Sequence, residues 1–106
     1  MNAKAACSGG ELSIEYLQRV ASMLRLLAHP QRLKLVEALE SLDEAPVHVL
    51  MERLQLPQAP TSQHLSLMRR VGLVDARRRG REVWYAIADR RCLGVLNCIR
   101  DKRSIA

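Results

Sequence analysis

Apolar positions in this chain keep a helical rhythm for most of its length and switch once to alternation. From Glu11 to Ala28, Leu12, Tyr16, Leu17, Val20, Leu24 and Leu27 recur at spacings of three and four, and Ile14, Ala21, Met23 and Leu26 widen the stripe. A helix this apolar expects burial on more than one side, and in so short a chain a second subunit is the natural cover. His29-Pro30 ends it and starts another, because proline suits a first helical turn and disfavours helix in the residue before it. Gln31 to Ser41 follows, with Leu33, Val36 or Leu35, and Leu39 inward; Asp43 to Pro46 reads as a loop. Val47, Leu50, Met51 and Leu54 then mark a short helix that Leu56-Pro57 breaks. Thr61, His64, Leu65 and Met68 mark the next, with Gly72 as its cap. From Leu73 to Ala88 the period becomes two: Val83, Tyr85 and Ile87 alternate with Glu82, Trp84 and Ala86, and Gly80 supplies the turn of a β-hairpin. Asp89 is a good N-cap for a last helix to about Lys102, striped by Leu93, Leu96 and Ile99 with Val95.

The expected order is α-α-α-α-β-β-α: a mainly α domain over 11–103 with a helix-turn-helix and a β-hairpin wing, whose last helix can pair with its first. Residues 1–10, MNAKAACSGG, lack periodicity and read as a mobile arm carrying Cys7.

Composition agrees with a helical core, since 48% of the 106 residues are apolar but there is no Phe, one Trp and two Tyr. No apolar run approaches the ~20 residues of a membrane span and no signal peptide is evident, so a cytoplasmic protein with no membrane partner is expected. An odd number of cysteines, three, suits free thiols. Charge changes the picture more. Residues 1–52 are net −2 and residues 53–106 are net +8, which points to a polyanion partner.

That charge surrounds a helix of unusual polarity. Opposite its apolar stripe, the fourth helix shows Gln58, Ala59, Ser62, Gln63 and Ser66, small or uncharged and able to hydrogen-bond, and it ends in Arg69 and Arg70. Such a face suits base edges in a major groove, with phosphates at the end. Four of the five residues at the hairpin tip are Arg77, Arg78, Arg79 and Arg81. Like charges on a tight turn repel one another, and a phosphate backbone or narrow minor groove offsets this. Nothing resembles a nucleophile–base pair, a phosphate loop or a catalytic carboxylate dyad, so no enzyme is expected.

The segments LRLLAHPQRLKLVEAL (24–39), LQLPQAPTSQHLSLMRRVGLV (54–74) and ARRRGREVWYAIAD (76–89) together resemble the ArsR/SmtB family of bacterial winged-helix repressors, over about Leu12 to Arg100. The resemblance implies a homodimer held through its first and last helices, two recognition helices a helical turn apart on a pseudo-palindromic duplex, and repression relieved by an effector. It implies base reading through Gln58, Ala59, Ser62 and Gln63. Pro60 in the first turn and Thr61 at a usually apolar place depart from the pattern, and His64 is taken as structural. Where relatives hold arsenic or cadmium with cysteines on the third helix, this chain has Pro46, His48 and Met51. Of the zinc pattern on the last helix Asp89 matches, whereas Arg91, Lys102 and Ile105 do not. No metal is expected at the usual family sites and no cofactor.

Cys7, Cys92 and Cys98 are the remaining effector candidates. Cys92 and Cys98 are six residues apart, about 240° around and ~9 Å along a helix, too far for a mutual disulfide. Redox chemistry would pair one with Cys7 or with the other subunit; three thiolates could instead bind arsenite or a soft metal, or the thiols could simply fill gaps. Some relatives sense oxidants or persulfides by pairing a second-helix cysteine with one on the last helix, but here the second helix has none. The reading is a DNA-binding transcriptional regulator, a repressor released by an effector, with a thiol-directed signal (oxidant, reactive sulfur or arsenite) as one candidate. Chemistry at Cys92 or Cys98 would shift the last helix and respace the recognition helices. The alternative is a winged-helix protein–protein interaction module that binds no DNA.

Overall fold

The computed structural model describes residues 10–100, so Cys7, nearly all of the expected arm and the chain from residue 101 on, including Lys102 and Ile105, lie outside the described residues. The elements are α1 (Ile14–Leu27), α2 (Pro30–Leu42), β1 (Glu44–Pro46), α3 (Val47–Leu54), α4 (Gln58–Arg70), β2 (Val74–Arg79), β3 (Glu82–Ile87) and α5 (Arg91–Arg100).

Helix α2 is the centre of the core: Leu35, Val36, Ala38 and Leu39 are all buried, so both candidates for its inward position are used. Around them pack Leu50 of α3, Leu65 and Met68 of α4, Leu73 and Val74 entering the hairpin, and Cys92, Leu93 and Leu96 of α5. Local chemistry sets the boundaries. Ser13 Oγ accepts from the Tyr16 N–H at 3.1 Å to start α1. His29 Nδ1 accepts from the Gln31 N–H at 3.2 Å, with Pro30 in the first turn of α2. Gly72, at φ 84°, ends α4 with its N–H on the Arg69 carbonyl, and the Leu73 N–H reaches the Met68 carbonyl.

Three expectations need correction. Residues 44–46 are not loop but β1, paired antiparallel with β3 so that Ala45 faces Tyr85; the sheet order β1-β3-β2 puts β3 in the middle. Three residues are too few to show alternation, and Pro46 is tolerated because β1 is an edge strand. In α1, the single wide stripe is two stripes. Tyr16, Val20, Met23 and Leu27 turn toward the core, whereas Ile14, Leu17, Ala21 and Leu24 turn outward, with Ile14 62% and Leu24 45% exposed. Leu12 is exposed too, and at the other end of the chain Ile99 leaves the expected α5 stripe for the surface while Cys92 joins the core.

Candidate nucleic-acid interface

Helix α4 presents two chemically distinct faces. Thr61, His64, Leu65 and Met68 are buried; Gln58, Ala59, Gln63, Ser66, Arg69 and Arg70 are exposed and Ser62 half-exposed. Thr61 is accommodated in the core because its hydroxyl donates to the Pro57 carbonyl at 2.9 Å, one turn back. Pro60 lies within the first turn, where its missing N–H breaks no helical bond.

The wing flanks this face. Gly80, at φ 62°, is the first of the two residues between β2 and β3, where a tight hairpin favours glycine. The register then sorts the arginines. Arg78 pairs with Val83 and Ala76 with Tyr85, whereas Arg77 pairs with Trp84 and Arg79 with Glu82. Directly paired residues point to the same side of a sheet. Val83, Tyr85 and Arg81 line a cavity of about 260 Å³ together with Gln58 and Ser62 of α4, so Arg78 shares the sheet face that looks toward α4. Arg77 and Arg79 belong to the opposite face, with Trp84 and Glu44. Arg79 is held there, in an ion pair with Glu44 and with its guanidinium 4.8 Å from the Trp84 ring centroid. Among the described residues Arg69, Arg70, Arg78 and Arg81 make no ion pair. His48, exposed at the start of α3, meets Glu82, the first residue of β3 after the turn, at 3.0 Å.

A polar cluster that the sequence did not reveal supports α4 from behind. Arg32 Nε donates to His64 Nδ1 at 3.1 Å, and His64 Nε2 lies 3.0 Å from Gln31 Oε1. A guanidinium only donates, so Nδ1 accepts and the ring proton sits on Nε2, donating to Gln31. Burial first, then the neighbouring His29 and Arg32, push the His64 ring below its usual value. Arg32 Nη1 also donates to the Leu26 carbonyl at 3.2 Å, in the last turn of α1. The residues His29, Gln31 and Arg32 sit in the HPQR turn, where the sequence suggested only a helix boundary.

On α5 the Asp89 carboxylate caps the helix through the Arg91 N–H at 3.0 Å and grips the Arg91 guanidinium at 2.6–3.2 Å. Those bonds hold Asp89 below the usual carboxylate range. Arg91 also donates to the Tyr16 hydroxyl of α1 at 3.1 Å. A carboxylate already closed on a guanidinium does not fit a divalent cation, and among the described residues no cluster of three metal-ligating side chains occurs. Cys92 is buried, its thiol donating to the Asp89 carbonyl at 3.0 Å, and burial pushes that thiol up; Cys98 is exposed.

Comparison with known proteins agrees with this geometry. A family profile described as bacterial regulatory protein, arsR family, matches residues 29–76. The chain is 40% identical over 75 residues to the transcriptional repressor SmtB of Mycobacterium tuberculosis, a match covering 71% of this chain and 55% of that protein, so it spans only about half of that relative's length. It is 38% identical over 89 residues to the transcriptional repressor PagR of Bacillus anthracis, covering 81% of this chain and 88% of PagR. The crystal structure of PagR superposes with a TM-score of 0.75 at 32% identity over 82% of this chain and 99% of that one. NolR from Sinorhizobium fredii superposes with a TM-score of 0.75 at 28% identity over 91% of this chain and 98% of that one. The helix-turn-helix, the wing and the extent of these matches together make this chain a member of the arsR family of bacterial regulatory proteins.

Proposed function

We propose that this protein is a sequence-specific DNA-binding transcriptional repressor, cytoplasmic and homodimeric. The observation that carries this is the pairing of an uncharged, hydrogen-bonding α4 face with arginines on both flanks: Arg69 and Arg70 at the helix end, Arg78 and Arg81 on the wing. Gln58, Ala59, Ser62, Gln63 and Ser66 read base edges, and the flanking arginines neutralise phosphates. The relatives' names as repressors support the direction of control. The outward apolar stripe of α1 supports a dimer, which would set two α4 helices about 34–36 Å apart on a two-fold site. A protein–protein module would need neither the bare Gln and Ser face nor the arginine-flanked groove.

A thiol effector (oxidant, reactive sulfur or arsenite) enters this reading at the exposed Cys98, with Cys92 enclosed on the inner side of the same helix. Replacement of Cys98 by Ser with full retention of induction would remove it.

The function is tested by titrating labelled duplex from the chain's own upstream region at two salt concentrations. Tight binding that weakens steeply with salt and discriminates against scrambled duplex is expected. Absent or salt-indifferent binding would leave the interaction-module alternative.

A further inference from the structure

The DNA-contacting face leaves one feature of α4 unused: a titratable ring, nine-tenths buried, on the helix's inner side. Resting on the DNA-binding reading, we propose that His64 is the positioning residue of the recognition helix and that acid releases it. Only the neutral ring fits between Arg32 and Gln31, so its protonation detaches α4 from the α1–α2 junction and weakens binding to DNA.

The argument is one of donors and acceptors. In the folded protein His64 Nδ1 must accept, because Arg32 Nε can offer it nothing but a proton. Adding a proton at Nδ1 turns that contact into donor against donor and places cation beside cation. The other groups around the ring do not compensate. His29 meets it edge-on, with centroids 4.7 Å apart. Arg70 of the same helix and Arg32 border the open cavity beside it. None of these is a carboxylate, and Gln31 Oε1 already accepts from Nε2. Arg32 is also the bond between α4 and α1, through the Leu26 carbonyl, so displacing it uncouples the recognition helix from the helix that bears the outward apolar stripe. The sign is distinctive. Added positive charge on a protein surface ordinarily favours a polyanion, whereas protonating His64 works against binding.

The experiment measures dissociation constants for labelled duplex of the chain's own upstream DNA at pH 7.5 and pH 5.5, at constant ionic strength, for wild type, H64Q and R32M. Ring nitrogen NMR of the same wild-type protein reads the tautomer. Glutamine at 64 can accept from Arg32 and donate to Gln31 but cannot titrate. Wild type is expected to weaken roughly three- to tenfold at the lower pH, because DNA selects the protein with the neutral ring and acid depletes it. H64Q is expected to keep the pH 7.5 affinity and show no acid loss, with the wild-type ring protonated on Nε2 at neutral pH. If H64Q fails to fold, R32M carries the test, because without the donor facing Nδ1 the acid loss shrinks. Equal acid profiles in wild type and variants, or a ring protonated on Nδ1, overturn the proposal while leaving DNA binding intact. No binding at pH 7.5 overturns the DNA-binding reading and the release mechanism with it.

Discussion

Cys92 and Cys98 sit on one helix six residues apart, and their surroundings are opposite. The turn of α5 carries Cys92 against α2, where its thiol is enclosed and burial disfavours the thiolate; Cys98 meets solvent. Alkylation of the native protein with iodoacetamide at pH 7.5 should therefore label Cys98 at least about tenfold faster than Cys92, the latter reacting only on unfolding. Equal rates, read by mass spectrometry of the peptides, would show that α5 opens readily. The sequence showed both thiols and their angular separation, and its stripe of Leu93, Leu96 and Ile99 with Val95 counted neither as core; packing turned α5 so that Cys92 lies inward with Leu93 and Leu96 while Ile99 is exposed. His64 is similar: its burial followed from the Thr61-His64-Leu65-Met68 pattern, whereas its partners Gln31 and Arg32 lie more than thirty residues away and only folding brings them there.

At the scale of an element, the wing shows how register distributes charge. Four arginines crowded at one tip read alike in the sequence, yet a period of two sends Arg78 toward α4 and Arg77 and Arg79 to the other face. Arg79 is then held by Glu44 of β1 and by Trp84. Replacing Arg78 by Ala should weaken DNA binding and reduce the slope of log affinity on log salt by about one per subunit. Replacing Arg79 by Ala should leave that slope nearly unchanged. Anisotropy titrations across salt concentrations separate the two, and equal losses would mean that the wing is gripped from both faces. Strand β1 was illegible beforehand because its three residues acquire their conformation from pairing with β3, not from their own sequence.

For the whole molecule, the outward stripe of α1 predicts assembly. Ile14, Leu17 and Leu24 are exposed in the single chain, so charging them does not touch its core. The L17E/L24E double variant should run as a monomer by sedimentation, keep its helical circular dichroism and lose DNA affinity by at least about tenfold, since half-sites bind far better when linked. A variant that stays dimeric would place the interface elsewhere. Stability should also depend on pH with a definite sign. The folded protein holds His64 below its usual value near 6.5, so its contribution is complete above that value and erodes as pH falls below it. Asp89 and Glu37 are also held low, but their contributions, present above the usual values of 3.8 and 4.5, are lost only in stronger acid. Thermal midpoints should thus begin to fall between pH 6.5 and 5 in wild type and not in H64Q; a parallel fall in both would assign it to other groups.

Much of this protein was determined by local sequence. The helices around Leu39, Leu50 and Leu65, the proline and glycine boundaries at Pro30, Pro57 and Gly72, the alternating hairpin and the unusual Gln and Ser face of α4 all arise from spacing and backbone chemistry within a few residues of one another. What only the tertiary structure decided depends on residues far apart in the chain: β1 beside β3, the division of α1 into an inward and an outward stripe, the sorting of the wing arginines, and the Arg32–His64–Gln31 bridge behind α4. Periodicity says that a side chain has a preferred side. Which neighbour waits there is decided by long-range packing, where burial, charge and hydrogen bonding must all be satisfied at once.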